Sequence, residues 1–245
     1  MAKRPRPAPP KADASSADAP PRYASRGGQK LAAALQAFGI DPAGQTAADL
    51  GCSTGGFVDC WLQHDAARVF AVDTAYGQLA WKLRQNPRVT VMERTNALHA
   101  PLPWLDPEDS PPDPPDPPDP PDPTEANPHP PTPPGVDWVS IDLGWTRQEK
   151  AVPAALRWLR PAADSHPAAP AAPTRPGGIV TLIKPHYESG RHQLTDDEAD
   201  DETRRVITTV LPPLGVEVLG WIRSPIRGGK GGNLEHLAYL RPTNR

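Results

Sequence analysis

The sequence has little cysteine and no long apolar run, and each shortage excludes a class of protein. Its two cysteines, Cys52 and Cys60, can form neither a metal cluster nor a disulfide framework, which predicts a protein of the reducing cytoplasm. No run approaches the ~20 apolar residues of a membrane span, and the N-terminus lacks the apolar segment of a signal peptide. The histidines show no metal-ligand spacing. We therefore expect neither a membrane anchor nor a bound metal ion.

Proline, by contrast, is abundant and is concentrated in three segments. The chain of 245 residues contains 36 prolines. Residues 1–22 form a basic tail without an apolar run. Residues 101–134, which include "PPDPPDPPDPPDP", and residues 161–176 are low-complexity insertions that cannot bury enough apolar surface to fold. The rest of residues 23–245 is long enough for one domain with a single core.

The formal net charge is only −3, but charge is unevenly distributed along the chain. The first 30 residues carry seven basic and two acidic side chains, whereas the insertion at 101–134 carries eight acidic and no basic ones. A basic arm can contact phosphates, and the acidic insertion must point away from any nucleic acid. Arg22 and Arg26 of this arm, together with Arg223, Arg227 and Lys230, could neutralise the phosphates of a nucleic acid.

Short apolar runs alternate with helical patterns along the chain. Strands are predicted at 47–50, 69–72, 89–92, 136–141, 179–183, 216–222 and 234–240. Helices are predicted at 30–38, 56–64, 77–85, 148–160 and 195–211. Ser25 is the candidate N-cap of the first helix and Gly39 its stop, and Thr195 with Glu198 matches a capping box. The alternation predicts an α/β fold with a mostly parallel, doubly wound sheet that binds ligands at the carboxyl ends of its strands.

A glycine-rich turn, "DLGCSTGG", follows the first predicted strand. A dinucleotide pyrophosphate would favour G-x-G-x-x-G and would be repelled by Asp49, whereas S-adenosylmethionine carries a cationic amino group and no phosphate. Gly51, Gly55 and Gly56 would let such a ligand lie against bare backbone, and Asp73, at the end of the second strand, could accept its ribose hydroxyls. The pattern favours S-adenosylmethionine over a tight turn with a solvent-facing acid. Asp59 is interpreted as an ordinary surface or N-terminal helix acid.

Six sequence blocks, in the same order, resemble one known family. They are "YASRGGQKL", "DLGCSTGGFVDC", "AVDTAYGQLAWKLRQNPRVTVMERTN", "VSID", "LIKPHYESGR" and "SPIRGGKGGNLEHLAYL". They resemble the TlyA (haemolysin A-like) family of ribosomal RNA methyltransferases, which have an FtsJ-type catalytic domain. The resemblance implies a Rossmann-like class I methyltransferase fold with a seven-stranded sheet and an antiparallel last strand. It also implies S-adenosylmethionine as cofactor, ribosomal RNA or ribosomal subunits as partner, and methyl transfer to a ribose 2′-hydroxyl.

The resemblance also implies site residues at the matching positions. A Lys-Asp-Lys-Glu catalytic tetrad falls on Lys30, Asp142, Lys184 and Glu235. The cofactor set falls on Asp49, Gly51, Ser53, Gly55, Gly56 and Phe57, with Asp73 for the ribose. The block "MERTN" places Arg94, Thr95 and Asn96 along the adenosine. Lys184 either accepts the proton of the acceptor hydroxyl or orients that hydroxyl while the proton leaves late.

Three departures from the family pattern leave the acceptor open. A Pro-rich tail stands where members carry a small RNA-binding domain, the segment after "ESGR" is short, and "LGWT" at 143–146 replaces a Ser-Phe-like continuation.

Trp81 and Trp145 could stack on bases or be packing residues. Methylation of transfer RNA or of a small molecule, and a non-enzymatic role as an RNA-binding or assembly factor, are the alternatives. The modified nucleotide and the oligomeric state are not predicted.

Overall fold

The computed structural model describes residues 22–104, 135–160, 177–229 and 231–243. Almost all of the predicted tail and insertions, as well as Lys230, lie outside the described residues, so the interpretations of those segments stay predictions. Within the described ranges, no helix is both long enough and apolar enough to cross a membrane.

The chain forms seven strands and six α-helices within these ranges. The strands are β1 Thr46–Leu50, β2 Arg68–Val72, β3 Val89–Met92, β4 Trp138–Ile141, β5 Gly178–Ile183, β6 Val216–Arg223 and β7 His236–Pro242. The helices are α1 Gly27–Phe38, α2 Gly56–Gln63, α3 Trp81–Arg84, α4 Gln148–Trp158, α5 Pro185–Ser189 and α6 Asp196–Arg205. A π-helical turn, Val206–Val210, and a 3-10 turn, Pro212–Leu214, follow α6.

The strands form one sheet in the order β3-β2-β1-β4-β5-β7-β6. Strands β1 to β5 are parallel, and β7 is antiparallel to both of its neighbours, β5 and β6. Among the described residues between β6 and β7 there is no α-helix, and β7 runs antiparallel to β6. The predicted fold class is confirmed. The strand order reverses at β1 and β4, which is where such sheets form a binding crevice.

Apolar side chains cover both faces of the sheet, because successive strand residues point to opposite sides. On one face, α1 and α2 pack through Leu31, Leu35 and Trp61. On the other face, α4 packs through Trp158 and the π-helical turn through Val206. These two layers fix the strand ends, and the residues that follow those ends are therefore held in place.

The ends of several helices differ from the prediction. Helix α1 begins at Gly27 with Arg26 as its N-cap, and Ser25 only accepts the Gly27 N–H through its Oγ at 3.3 Å, so the predicted N-cap was wrong. Gly39, in the left-handed conformation with φ of 63°, ends the helix as predicted. The capping box of Thr195 and Glu198 is also confirmed.

Two further helices differ from the prediction in length or were not predicted at all. The helix predicted at 77–85 is a single turn, Trp81–Arg84, preceded by Ala80 in an extended conformation that a helix cannot include. Helix α5 was not predicted; it starts with Pro185 at its first position, where the missing N–H of proline costs nothing.

Candidate active site

Two cavities adjoin at the carboxyl edge of the sheet. The first, of about 390 Å³, lies between the turn after β1 and the start of α1. The second, of about 770 Å³, is lined by residues that follow β4 and β5 and precede β7. Lys30, Asp142 and Gly229 line both cavities, so a group bound in one would face a group bound in the other across these residues.

Asp49 is a buried acid in the wall of the first cavity. Strand register places it beside Ser140 of β4, whose hydroxyl donates to Asp49 Oδ1 at 2.7 Å. Its other oxygen, Oδ2, is buried without a hydrogen-bond partner. Burial, together with the charges of Asp142 and Asp73, raises the pKa of Asp49 to about 8, although the Ser140 hydrogen bond acts in the opposite direction. A cation beside Oδ2 would satisfy this oxygen.

The turn after β1 requires glycine because neighbouring segments lie against its backbone. Gly51 has φ of 92°, and a Cβ there would lie 2.6 Å from the Asp142 carbonyl oxygen. A Cβ on Gly56 would lie 2.3 Å from Ser25 Oγ. Ser53 also lies in the left-handed region, with φ of 47°. The turn therefore needs glycine at positions 51 and 56 so that it can pack closely against the segments at Asp142 and Ser25.

Gly51→Ala tests this close approach. We expect a loss of about 1–3 kcal/mol in the free energy of unfolding, since alanine is strained at this φ and its methyl group meets Asp142. Urea unfolding and calorimetric titration with S-adenosylmethionine would measure stability and affinity. Gly77→Ala is the matched control, with φ of 72° and no atom within 4 Å of the added Cβ. Equal losses in the two variants would contradict the role given to the contact with Asp142.

The tetrad residues meet as two ion pairs in the second cavity. Lys30 Nζ lies 2.5 Å from Glu235 Oε2, and Lys184 Nζ lies 2.6 Å from Asp142 Oδ1. Lys184 Nζ also donates to the Leu143 carbonyl at 3.1 Å. Side chains with little exposure to water carry charge only when they are paired, and here every tetrad charge has a partner. All four residues line the second cavity.

The fold explains this convergence. Asp142 directly follows β4, Lys184 directly follows β5 and Glu235 directly precedes β7, so adjacent strands bring the three residues to one edge. Lys30 comes from α1, which packs on the sheet through its neighbour Leu31. Strand order, rather than closeness in sequence, therefore assembles the cluster.

The predicted cofactor residues divide into two groups. One group lines the first cavity: Asp49, Gly51, Ser53, Gly56 and Phe57. Gly55, Asp73 and Asn96 line neither of the two cavities. Asp73 supports the turn, because its two oxygens accept the N–H groups of Ser53 and Ala75 at 2.7 and 2.8 Å. Asn96 is exposed, and its Oδ1 accepts the Leu98 N–H.

Aromatic and basic residues also line the second cavity; Tyr187 and Arg147 were not assigned from the sequence, whereas Trp145 was a candidate for base stacking. Trp145 is 84% exposed and stacks on Tyr187 with 4.9 Å between ring centroids, and Arg147 lies beside them. Trp81 is 68% exposed, so for both tryptophans the packing alternative was wrong. The sequence feature that could have indicated the exposure of Trp145 is its place in the polar stretch "LGWTRQ".

His186 is a further unassigned residue of the second cavity. Burial, and then the charge of Lys184, lower the pKa of its imidazole. Its Nδ1 atom is buried without a hydrogen-bond partner. Within the described ranges, no group of three or more His, Cys, Asp or Glu side chains could hold a metal ion.

Asp59 is not the surface acid that its position in a helical first turn suggested. It is buried, and its Oδ2 accepts from the Ala24 N–H and from Lys82 Nζ, both at 2.7 Å. Gln63 Nε2 donates to Asp59 Oδ1 and to the Arg22 carbonyl. These bonds attach the segment before α1 to α2, next to the first cavity.

The fold and this pair of cavities define the class of protein, a Rossmann-like methyltransferase. The family model of the FtsJ-like methyltransferases matches residues 23–199. The chain belongs to this family.

Relatives narrow the comparison. The chain is 32% identical over 224 residues to the 16S/23S rRNA (cytidine-2′-O)-methyltransferase TlyA of Mycobacterium tuberculosis, covering 89% of this chain and 68% of that protein. It is 33% identical over 227 residues to YqxC of Bacillus subtilis, named as a candidate rRNA methyltransferase, covering 90% and 66%. The chain thus spans about two thirds of the length of these relatives, and its resemblance to the TlyA family is confirmed.

A solved structure agrees with this assignment. A protein of Streptococcus thermophilus described as a candidate hemolysin superposes with a TM-score of 0.69 at 31% identity, over 93% of this chain and 70% of that one. An S-adenosylmethionine-dependent methyltransferase of Listeria monocytogenes, at 14% identity and a TM-score of 0.53 over 89% of this chain and 99% of that one, supports the fold alone.

Proposed function

We propose that this protein transfers a methyl group from S-adenosylmethionine to a ribose 2′-hydroxyl, with ribosomal RNA as the substrate. The observation that carries the proposal is the pair of adjoining cavities, with Lys30 and Asp142 between them and the tetrad paired at their junction. The printed name of the mycobacterial relative, a cytidine-2′-O-methyltransferase of 16S and 23S rRNA, supports this acceptor.

The first cavity fits the cofactor on the evidence of its own residues. The unpartnered Asp49 Oδ2 suits the cofactor's amino group, and Gly51 and Gly56 line the cavity with backbone that carries no side chain. Gly51, Ser53, Gly56 and Phe57 would hold the methionine and ribose portions, Asp73 with Gly55 would support them from the turn, and Asn96 would lie toward the adenosine. When bound, the cofactor supplies an activated methyl group on a sulfonium.

The second cavity supplies the groups that the acceptor hydroxyl needs. Lys184 Nζ, held by Asp142 and the Leu143 carbonyl, either accepts the proton or orients the hydroxyl. The ion pair of Lys30 with Glu235 contributes to the local charge in the same cavity. Alignment of donor and acceptor can contribute ~7–11 kcal/mol in favourable cases. The paired tetrad favours an enzyme over a non-catalytic assembly factor.

Residues at the second cavity suit a nucleotide. The exposed Trp145–Tyr187 stack offers an aromatic surface for a base, a contact typical of single-stranded RNA recognition. Arg147 and Arg191 add positive charge beside it. Arg191 is paired with Glu198 at 2.9 Å on the exposed surface, where such pairs are weak and a phosphate could compete.

A methylation assay tests the proposal. Isolated ribosomal subunits are incubated with methyl-labelled S-adenosylmethionine, and 2′-O-methyl positions are then mapped on the RNA. We expect nuclease-sensitive label in ribosomal RNA, reduced about a hundredfold or more by Asp142→Asn, which removes the carboxylate that holds Lys184. Label found only in transfer RNA or in a nuclease-resistant small molecule would overturn the choice of acceptor, and label unaffected by the substitution would overturn the site.

A further inference from the structure

The segment between β6 and β7 runs across both cavities. This crossing loop comprises residues 224–229 and 231–235. Arg227 lines the first cavity, Gly228 and Asn233 line the second, and Gly229 lines both. The loop ends at Glu235, the partner of Lys30. Its position therefore sets the shape of both cavities and the geometry of one tetrad ion pair.

Two acidic side chains of helix α6 bind arginines at and just after the end of β6. Asp196 and Asp200 lie one helical turn apart, and Arg223 and Arg227 have the same separation in sequence. Arg227 binds Asp196 with two hydrogen bonds, Nη1 to Oδ1 at 3.0 Å and Nη2 to Oδ2 at 2.7 Å. Arg223 binds Asp200 in the same two-pronged manner, through Nε and Nη2. The two pairs join α6 to the last residue of β6 and to the start of the loop.

The far end of the loop is held by the same helix. His236 directly follows Glu235, and its Nε2 lies 2.8 Å from Asp200 Oδ1 while its Nδ1 lies 2.8 Å from Thr203 Oγ1. Burial lowers the pKa of His236, which favours the neutral ring; in that form Nε2–H can donate to Asp200 Oδ1 while Nδ1 accepts from Thr203 Oγ1. Asp200 thus joins both ends of the loop to α6.

We infer that Asp196 and Asp200 are positioning residues for methyl transfer, holding the crossing loop so that Glu235 meets Lys30 between the two cavities. The inference rests on the proposed function. It also assigns Arg223 and Arg227 to this contact instead of to RNA phosphates, the role that their sequence position suggested. The loop contains several glycines, whose backbones are free to vary. The pair of Arg227 with Asp196 is as exposed as that of Arg191 with Glu198, but it has two hydrogen bonds instead of one, and this two-pronged geometry restricts the loop.

Asp196→Asn is the direct test. We expect kcat to fall about tenfold, because small displacements of catalytic groups are costly. The KM for S-adenosylmethionine should rise by no more than about twofold, because the loop contributes only Ile226, Arg227 and Gly229 to the lining of the first cavity. Asp201→Asn is the matched control: it removes an exposed pair with Arg204 inside the same helix and leaves the loop untouched. Equal kcat values for wild type and Asp196→Asn would overturn the inference.

Exchanging the charges of Asp196 and Arg227 distinguishes a role of this pair in positioning the loop from a role of Arg227 in binding RNA phosphate. The variant Asp196→Arg with Arg227→Asp rebuilds the pair in reverse and should recover most of the kcat lost in Arg227→Asp alone. If Arg227 instead bound a phosphate, Arg227→Asp would raise the KM for RNA and the exchange would not restore it, which would overturn the inference.

Amide hydrogen exchange keeps this test separate from that of the proposed function. The Ser224 and Gly228 N–H groups donate to the carbonyls of Glu235 and Asn233 at 2.8 and 2.9 Å. Both amides should exchange faster in Asp196→Asn than in Asp201→Asn. Unchanged exchange rates in Asp196→Asn would show that Asp196 does not hold the crossing loop, and this would overturn the inference even if the enzyme is active. If instead the wild type does not methylate ribosomal RNA but these amides exchange faster in the variant, only the proposed acceptor is overturned.

Discussion

Lys184→Ala is expected to lower the rate of methyl transfer by about 10²- to 10⁴-fold, the range typical of a group that handles a proton at the reacting centre. The side chain of Lys184 lines the second cavity and not the first, so affinity for the cofactor should remain that of the wild type. Its removal also leaves Asp142 without its cation at 2.6 Å. Lys184→Ala should therefore lower kcat and leave the Kd of the cofactor unchanged.

Single-turnover assays with labelled donor would measure the rate, and calorimetry the affinity for the cofactor. Lys150→Ala, an exposed lysine on α4, is the control. Lys184→Arg distinguishes the two roles left open, because a guanidinium keeps the charge and cannot lose it. Substantial activity in Lys184→Arg would favour orientation of the hydroxyl over proton acceptance. Wild-type labelling by Lys184→Ala would remove Lys184 from the mechanism.

Asp49→Asn is expected to have opposite effects on binding and on stability. The buried carboxylate is the group proposed to bind the cofactor's amino cation, and an amide cannot supply the charge. Loss of a buried, charge-assisted contact should weaken cofactor binding by about a hundredfold or more. The ligand-free protein, however, should become more stable at neutral and mildly alkaline pH.

The direction of the stability effect follows from the pKa of Asp49, which burial raises to about 8. Between about pH 4 and pH 8 the folded protein retains a proton that the unfolded chain has lost, so this group lowers stability as pH rises. The slope is at most about 1.4 kcal/mol per pH unit. The advantage of Asp49→Asn over wild type should grow through this window and level off above it.

Urea unfolding at several pH values, without ligand, would measure this difference. Asp41→Asn, an exposed acid whose Oδ1 accepts the Ala43 N–H, is the control and should show no such trend. In the wild type, binding of the cationic cofactor should weaken as pH falls below 8, because Asp49 must first lose its proton. A pH-independent affinity would contradict the proposed contact.

Much of the fold was predictable because local sequence patterns determine the strands, helices and turns. The run from Ala47 to Leu50 reads as a buried strand, and the glycines after it require a turn that only bare backbone can make. Alternation of such runs with helices leaves few topologies open. The tetrad was different: Lys30 and Glu235 are 205 positions apart, and only the resemblance to a family placed them together before the fold did.

What the sequence did not predict depends on tertiary partners. Asp59 and Asp196 both lie in the first turn of a helix, where the helix dipole alone accounts for an acid. Nothing local shows that Asp59 accepts a hydrogen bond from Ala24, or that Asp196 pairs with Arg227. In the same way, the exposure of Trp145 depends on which elements pack beside it, and short-range patterns do not contain that information.

Both native thiols are protected by the fold. Cys52 and Cys60 are buried, and burial raises the pKa of Cys60 to about 12 and that of Cys52 well above its usual range, so we expect both to stay protonated at neutral pH and to react slowly with alkylating reagents. A cysteine introduced on an exposed side chain would then be the one that a dye or spin label modifies. Labelling chemistry can therefore follow conformational change in this enzyme without first removing its own cysteines.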